Sequence, residues 1–443
     1  MTAPDAELIL RGGTILTLDP QHRVVAGDVA SRGGVLVQVG GDYTPTGHDY
    51  TIVDCAGCVV MPGLVQAHVH TCQTLARGRA DDLELLDWLR QVIWPHEAAL
   101  DPAALTCAAE LAHAELLLSG TTAVLDMATV HHTEAVFAVA ERSGLRATIG
   151  KAMMDLPDPQ IPAGLREGTQ ASLDEAARLI ARWHGAAGGR LRYAYAPRFA
   201  LSCTDELLRA VASEARDRGV GVHTHASENP GEVALVRQRF GKDNVEVLDD
   251  LGLLGPHTCL AHCIHLSADE RRRLAARGAH VCHCPSSNLK LASGICDVPA
   301  LIAAGVSVAL GADGAACSNN LDGFTELRLA ALLHKPRSGP RALPAAEVVR
   351  MATLGGAAAL GLADRIGSLE VGKRADVIAV DVGGAHVVPT ASPWSAIAYA
   401  ARGTDVRHVA VDGAVVVRDR RLLTLDVDRV RASARAAAAR LFR

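Results

Sequence analysis

Apolar and polar positions divide the chain into a long middle and two ends that resemble each other. The first 60 residues hold β-branched runs broken by glycines: LILRGGTIL (8–16), VVAGDVA (24–30) and GGVLVQVG (33–40). This pattern predicts short strands of a small β-domain. Residues 366–382 (IGSLEVGKRADVIAVDV) and 405–419 (DVRHVAVDGAVVVRD) repeat it. The two ends are therefore expected to pair into one β-domain, 1–60 with 365–425. The alanine- and arginine-rich stretch 426–443 reads as a closing helix. Between the ends, short apolar runs alternate with longer helical segments. Eight strands are predicted at 60–67, 121–127, 146–153, 191–196, 220–224, 258–261, 280–284 and 306–311. One helix starts at Asp101-Pro102, a capping residue followed by proline, and stops near Gly120. Another starts at the capping box Ser267 to Glu270 and ends near Gly278. Eight apolar strands separated by helices imply a parallel sheet closed into a (β/α)8 TIM barrel over 61–364, an α/β fold. A doubly wound open sheet is the alternative, but no G-x-G-x-x-G follows any of these strands.

The chain has 443 residues, a net charge of −5, 49% hydrophobic residues and 11 cysteines. That apolar fraction supports a large core. The mildly acidic balance without a long basic run argues against nucleic acid as a partner. No apolar stretch approaches the ~18 residues of a spanning helix, so no membrane partner is expected. The start, MTAPDAELILRGG, lacks a basic segment before an apolar core and is not read as a signal peptide. A soluble, cytoplasmic protein follows. The odd cysteine count and irregular spacing suit a reducing compartment. Cys55 and Cys58 have no second pair at zinc-ribbon spacing. Cys282 and Cys284 read as buried packing.

Candidate chemistry gathers at the C-terminal ends of the predicted strands, which form the active-site face of a barrel. It comprises His68 and His70, Arg198, His223, His225 and Glu228, His262, His283 and Asp313. His68-Val-His70 is the sharpest signal: at period two both imidazoles point to one side of a strand and can chelate a divalent ion. His225 adds a third nitrogen and Asp313 a carboxylate oxygen. Three imidazoles and a carboxylate suit a catalytic zinc site, which lowers the pKa of its water toward ~7. Glu228, three residues past His225, is the expected proton shuttle. His262 is placed to stabilise charge on the attacking oxygen or to orient the water. Three nearby patterns are set aside. His113-Ala-Glu115 lacks the downstream P-C-x-x-C of a cytidine-deaminase site. His96-Glu97 lacks the second histidine of H-E-x-x-H. His131-His132 is assigned to a loop.

The segments PGLVQAHVH, HTHASE, LAHCIHL, HCPSSNLKL and LGADGAACSNNLD, with GSLEVGKRADVI as closing segment, resemble the amidohydrolase superfamily. More narrowly they resemble its aminohydrolase branch of guanine, methylthioadenosine/S-adenosylhomocysteine and 5′-deoxyadenosine deaminases and triazine hydrolases. The resemblance implies a distorted (β/α)8 barrel with a β-sandwich domain built from both chain ends, 1–60 and 365–425. It implies one metal per subunit, usually zinc though iron occurs, on His68, His70, His225 and Asp313. Glu228 would shuttle protons, assisted by His262 and Asp313. Binuclear relatives use a lysine on the fourth strand; LRYAYAPR has none and Lys151 lies on the third, so a mononuclear site is expected. Gln73 and Arg198 match positions of guanine deaminases, where the arginine contacts the base. The segment after Asp313 instead resembles the adenosine-type enzymes. Trp88 and Glu97 resemble pocket residues, Glu97 as a partner for a ribose diol and Trp88 as a packing surface for a ring. The expected substrate is a purine nucleoside: 5′-deoxyadenosine, methylthioadenosine, S-adenosylhomocysteine or adenosine. Guanine, or a triazine or isocytosine, is the alternative. A catalytically dead scaffold is disfavoured because every expected ligand is present. Relatives are often dimers or larger, which implies a homo-oligomer.

Overall fold

The computed structural model describes residues 5–442; residues 1–4 and 443, which belong to the predicted first and last segments, lie outside the described residues. Strands from both ends share one nine-stranded mixed sheet. Its centre is the antiparallel pairing of Cys58–Pro62 with Val377–Asp381, which joins front to back through partners such as Met61 and Ile378. Glu7–Leu16 and Val24–Arg32 continue the sheet on one side, Val406–Val411 and Ala414–Arg418 on the other. The closing helix Val427–Leu441 packs against Pro102–Leu118.

The middle forms the barrel. Its strands are β1 (Leu64–His70), β2 (Thr121–Met127), β3 (Arg146–Gly150), β4 (Leu191–Pro197), β5 (Gly221–Ala226), β6 (Thr258–His262), β7 (His280–His283) and β8 (Ser307–Leu310). All pair in parallel with their sequence neighbours. The ring closes where Asp313 and Gly314, just beyond β8, pair with Val69 and His70 of β1. The break in β8 is the barrel's distortion. At Gly311 a side chain would meet the His68 carbonyl at 2.6 Å and Cys282 Sγ at 2.8 Å, so only glycine lets the strand cross there. Gln66 spans the seam, donating to Thr121 Oγ1 (2.9 Å) and the Leu321 carbonyl (2.8 Å) and accepting from the Ala312 N–H (2.9 Å).

The predicted strand 60–67 is two strands. Cys58–Pro62 belongs to the terminal sheet and Leu64–His70 to the barrel. Gly63 is the break, because a Cβ there would overlap the Thr122 side chain at 2.1 Å. The apolar run is continuous because both pieces are buried, which hides the change of sheet. The predicted strand 146–153 is likewise split at Lys151, into β3 and a two-residue strand, Ala152–Met153. The helix signals hold. Asp101 Oδ1 caps the Ala104 N–H (2.7 Å), and Ser267 and Glu270 form a reciprocal capping box. His113 lies inside the first of these helices, bonded to Ser143. The cysteines are free thiols, and Cys282 and Cys284 stack in the barrel interior with sulfurs 3.9 Å apart. Among the described residues no helix is long and apolar enough to cross a membrane.

One buried ion pair ties the barrel floor to the terminal sheet. Arg146, the first residue of β3, donates from Nε and Nη2 to the two oxygens of Asp376 at 2.6 and 2.8 Å, and to Asp412 at 3.0 Å. Removing one partner of a buried pair leaves an uncompensated charge, at a cost of about 3–5 kcal/mol. Arg146→Met is therefore expected to lose about that much unfolding free energy in urea titration; a loss below about 1 kcal/mol would show the pair does not brace the floor.

Candidate active site

Strand alternation brings the predicted cluster together. On β1 His68 and His70 point inward, and on β5 His223 and His225 do the same, a second H-x-H at the same spacing. Each ring of the first set has an anchor on one nitrogen. His70 Nδ1 donates to the Met127 carbonyl (2.8 Å) and His225 Nδ1 to the Arg198 carbonyl (2.6 Å), while His68 Nδ1 shares a hydrogen bond with His223 Nε2 (2.8 Å). The opposite nitrogens then face one another. His70 Nε2 lies 3.2 Å from His225 Nε2 and 3.4 Å from Asp313 Oδ1; His68 Nε2 lies 3.2 Å from the same oxygen. Four ligands about 2.0–2.1 Å from a shared centre stand about 3.3–3.4 Å apart, so these spacings fit one tetrahedral ion. His68 Nε2 is buried without a hydrogen-bond partner among the described residues, as a metal ligand would be before loading. Burial holds the three rings below the usual histidine range, His70 at about 4, which leaves their lone pairs free for a metal at neutral pH.

Glu228 and His262 complete the cluster. His262 Nε2 lies 3.4 Å from Glu228 Oε2 and 3.8 Å from Asp313 Oδ2. Burial, then the neighbouring Asp313 and Glu232 carboxylates, pushes the Glu228 carboxyl well above its ordinary range. His262 and Asp313 both sit in the left-handed region, at φ 71° and 61°. Such residues cost about 1–3 kcal/mol each and persist only where their surroundings hold them. One short helix supplies the hold. From Pro285–Lys290, Ser287 Oγ donates to Asp313 Oδ2 (2.6 Å) and Asn288 Oδ1 accepts from His262 Nδ1 (2.8 Å).

A small cavity opens beside the cluster. Leu85, Trp88, Leu89 and Phe199 give it an apolar wall; Arg198 and Glu228 give it polar groups. The Trp88 indole N–H has no partner among the described residues. Gln73 and Glu97 are buried behind this wall. Arg198 donates from Nη1 to Glu97 Oε2 (2.5 Å) and from Nη2 to Oε1 (3.1 Å), and Gln73 Nε2 donates to the same Oε1 (3.0 Å). Burial raises the Glu97 carboxyl, but the Arg198 guanidinium outweighs it and holds the group below the usual carboxylate range.

His283 is not part of the cluster. Its neighbours Cys282 and Cys284 take the interior of β7, so its ring lies toward His334, 6.1 Å between centroids. Spacing alone assigned no role to His223, Ser287, Asn288 or Glu232. Glu232 accepts the Glu228 N–H (2.7 Å) as the third helical residue of a capping box led by Asn229, and the N-x-x-E pattern was its only visible signal.

A (β/α)8 barrel with imidazoles and carboxylates gathered at the C-terminal ends of its strands defines a hydrolase of the metal-assisted kind. More particularly, the chain belongs to the amidohydrolase family, which residues 59–416 match. It is similar to a 5-methylthioadenosine/S-adenosylhomocysteine deaminase of Syntrophobacter fumaroxidans, 43% identical over 441 residues, covering 97% of each chain. It is 40% identical to a 5′-deoxyadenosine deaminase of Methanosarcina acetivorans over 442 residues, 98% of each. Among solved structures it is similar to a zinc-bound adenosine deaminase from Xanthomonas campestris, with a TM-score of 0.91, 35% identity and 99% of both chains covered.

Loss of an outer partner that orients a ligand typically costs about 10–100-fold in metal affinity or activity. Ser287→Ala is expected to weaken metal retention against a chelator by about that factor, read as ion content after dialysis. Asn288→Ala should keep its metal and lose about 10–100-fold in kcat. Unchanged retention in the first and unchanged kcat in the second would mean that the helix only packs.

Proposed function

We propose that this protein is a hydrolytic deaminase of a purine nucleoside, with one zinc ion held by His68, His70, His225 and Asp313. The observation that carries the reading is the convergence of these donor atoms beside Glu228 and a small cavity, with the His70–His225, His68–Asp313 and His70–Asp313 pairs 3.2–3.4 Å apart. The names of the relatives, identical at 40 and 43% over nearly the whole chain, support an adenine nucleoside as substrate.

A divalent ion in such a set supplies a nucleophile near neutral pH by bringing the pKa of water down to about 7. The chain does the rest. Trp88, Leu89 and Phe199 pack on the flat base and exclude solvent. Glu228 takes the proton from the attacking water and passes it to the ring nitrogen beside the carbon under attack. That carbon becomes tetrahedral, carrying both hydroxyl and amine. His262 Nε2 faces Glu228 and Asp313 and orients the incoming oxygen between them. Glu228 then moves the hydroxyl proton to the amine, the C–N bond breaks and ammonia leaves. A carboxyl with a raised pKa is suited to carrying a proton in both directions.

Guanine is the second reading, favoured by Arg198, which lines the cavity as a fixed donor.

The test is ammonia release by zinc-loaded protein from adenosine, 5′-deoxyadenosine, methylthioadenosine, S-adenosylhomocysteine and guanine. Turnover of an adenine nucleoside is expected, and turnover of guanine alone would replace that substrate class. Glu228→Gln should keep its metal and lose about 10²–10⁴-fold in kcat, the range typical of acid–base groups. Full activity in that variant with metal bound would overturn the shuttle.

A further inference from the structure

Glu97 is a carboxylate held behind the cavity wall by Arg198, where a partner for a ribose diol would be sought. Its surroundings argue otherwise. Both of its oxygens are engaged: Oε2 by Arg198 Nη1 (2.5 Å), Oε1 by Arg198 Nη2 (3.1 Å) and Gln73 Nε2 (3.0 Å). The side chain is 1% exposed and does not line the cavity, whereas Arg198 does. These bonds take three of the carboxylate's about four acceptor sites, so a diol, which needs two, would have to displace part of a buried, bidentate, charge-assisted pair. Arg198 is tied at its other end as well. Its carbonyl accepts from both the backbone N–H and Nδ1 of His225 (3.1 and 2.6 Å). The guanidinium therefore belongs to the residue that also sets the His225 ring. The part of a substrate within its reach is the base, because the carbon that loses its amine must approach that same cluster. A guanidinium carries five donors and no acceptor; Glu97 takes two and the Met154 sulfur a third, which leaves two.

We propose that Glu97 is a positioning residue that aims Arg198 at a hydrogen-bond acceptor on the purine ring, and that it does not read the sugar. Gln73 fixes the Glu97 carboxylate in turn, so Gln73, Glu97 and Arg198 act as one unit with a single contact to substrate. Specificity on this wall is for an acceptor on the base edge, and a ring presenting only donors there is rejected. The inference rests on the purine-nucleoside reading, and the experiment separates the two.

Rates of ammonia release are measured for adenosine and 2′,3′-dideoxyadenosine, which lacks the diol. If Glu97 acts through Arg198, Glu97→Gln lowers kcat/KM for both nucleosides by the same factor, about 10–100-fold for a lost charged hydrogen bond. If Glu97 reads the diol, the loss falls on adenosine alone and the inference is overturned. Because Glu97→Gln strands a buried guanidinium, E97Q/R198M is compared with R198M, removing both charges together. Equal rates for these two variants on both substrates are expected. A further tenfold loss confined to adenosine in the double variant would overturn the proposal. If the wild type turns over neither nucleoside, the substrate class fails and guanine, which has no sugar, becomes the probe. Glu97→Gln then slows guanine turnover if it aims Arg198, and leaves it unchanged if it exists to meet a ribose.

Discussion

The organisation of the mouth depends on where three imidazole rings are tied at their outer nitrogens. A neutral imidazole has one donor and one acceptor, so a partner for Nδ1–H decides which way Nε2 points. Met127, Arg198 and His223 supply those partners from β2, from the end of β4 and from β5. Two of the three are backbone carbonyls whose positions the parallel ladder fixes. The donor set is thus a property of strand register. A slip of one residue would turn a ring into the barrel wall and remove its anchor together.

Strand positions and the inward-facing histidines were legible because both follow local periodicity. Period two in H-x-H and apolar strand runs at regular intervals are readable without knowing what packs on what. The limits were equally physical. Leu64 continues the same apolar run as Met61, so the change of sheet at Gly63 is silent until Thr122, on another strand, is seen against it. The pairing of Glu97 with Arg198 spans 101 positions, and neither residue carries a local mark of the other. His283 was taken for a mouth residue because a strand end reads alike for both faces; only the inward placement of Cys282 and Cys284 decides it. Ser287 and Asn288 lay in a recognised motif without a role, since their task is to touch side chains from two other strands.

The two buried arginine–carboxylate pairs stand at opposite ends of the barrel and serve different ends. Arg146 with Asp376 joins the floor to the terminal sheet, where no ligand is expected. Arg198 with Glu97 faces the cavity on one side only. Both carry the same electrostatic liability, a charge that cannot lose its partner. At the floor that liability joins two layers, and at the mouth it fixes the direction of a guanidinium that lines the cavity.

The terminal sheet also bears on how the chain is made. Its central joint sets Cys58–Pro62 beside Val377–Asp381, so its front half must wait for some 300 residues of intervening chain. At about 5–20 residues per second that delay is roughly 15–60 s. Throughout it, CVVMP, every residue of which is buried in the finished fold, presents an open, apolar strand edge. The nascent protein is therefore most prone to mispairing with a neighbouring copy near residue 62, far from its chemistry. Closure of that edge is among the last steps that synthesis permits.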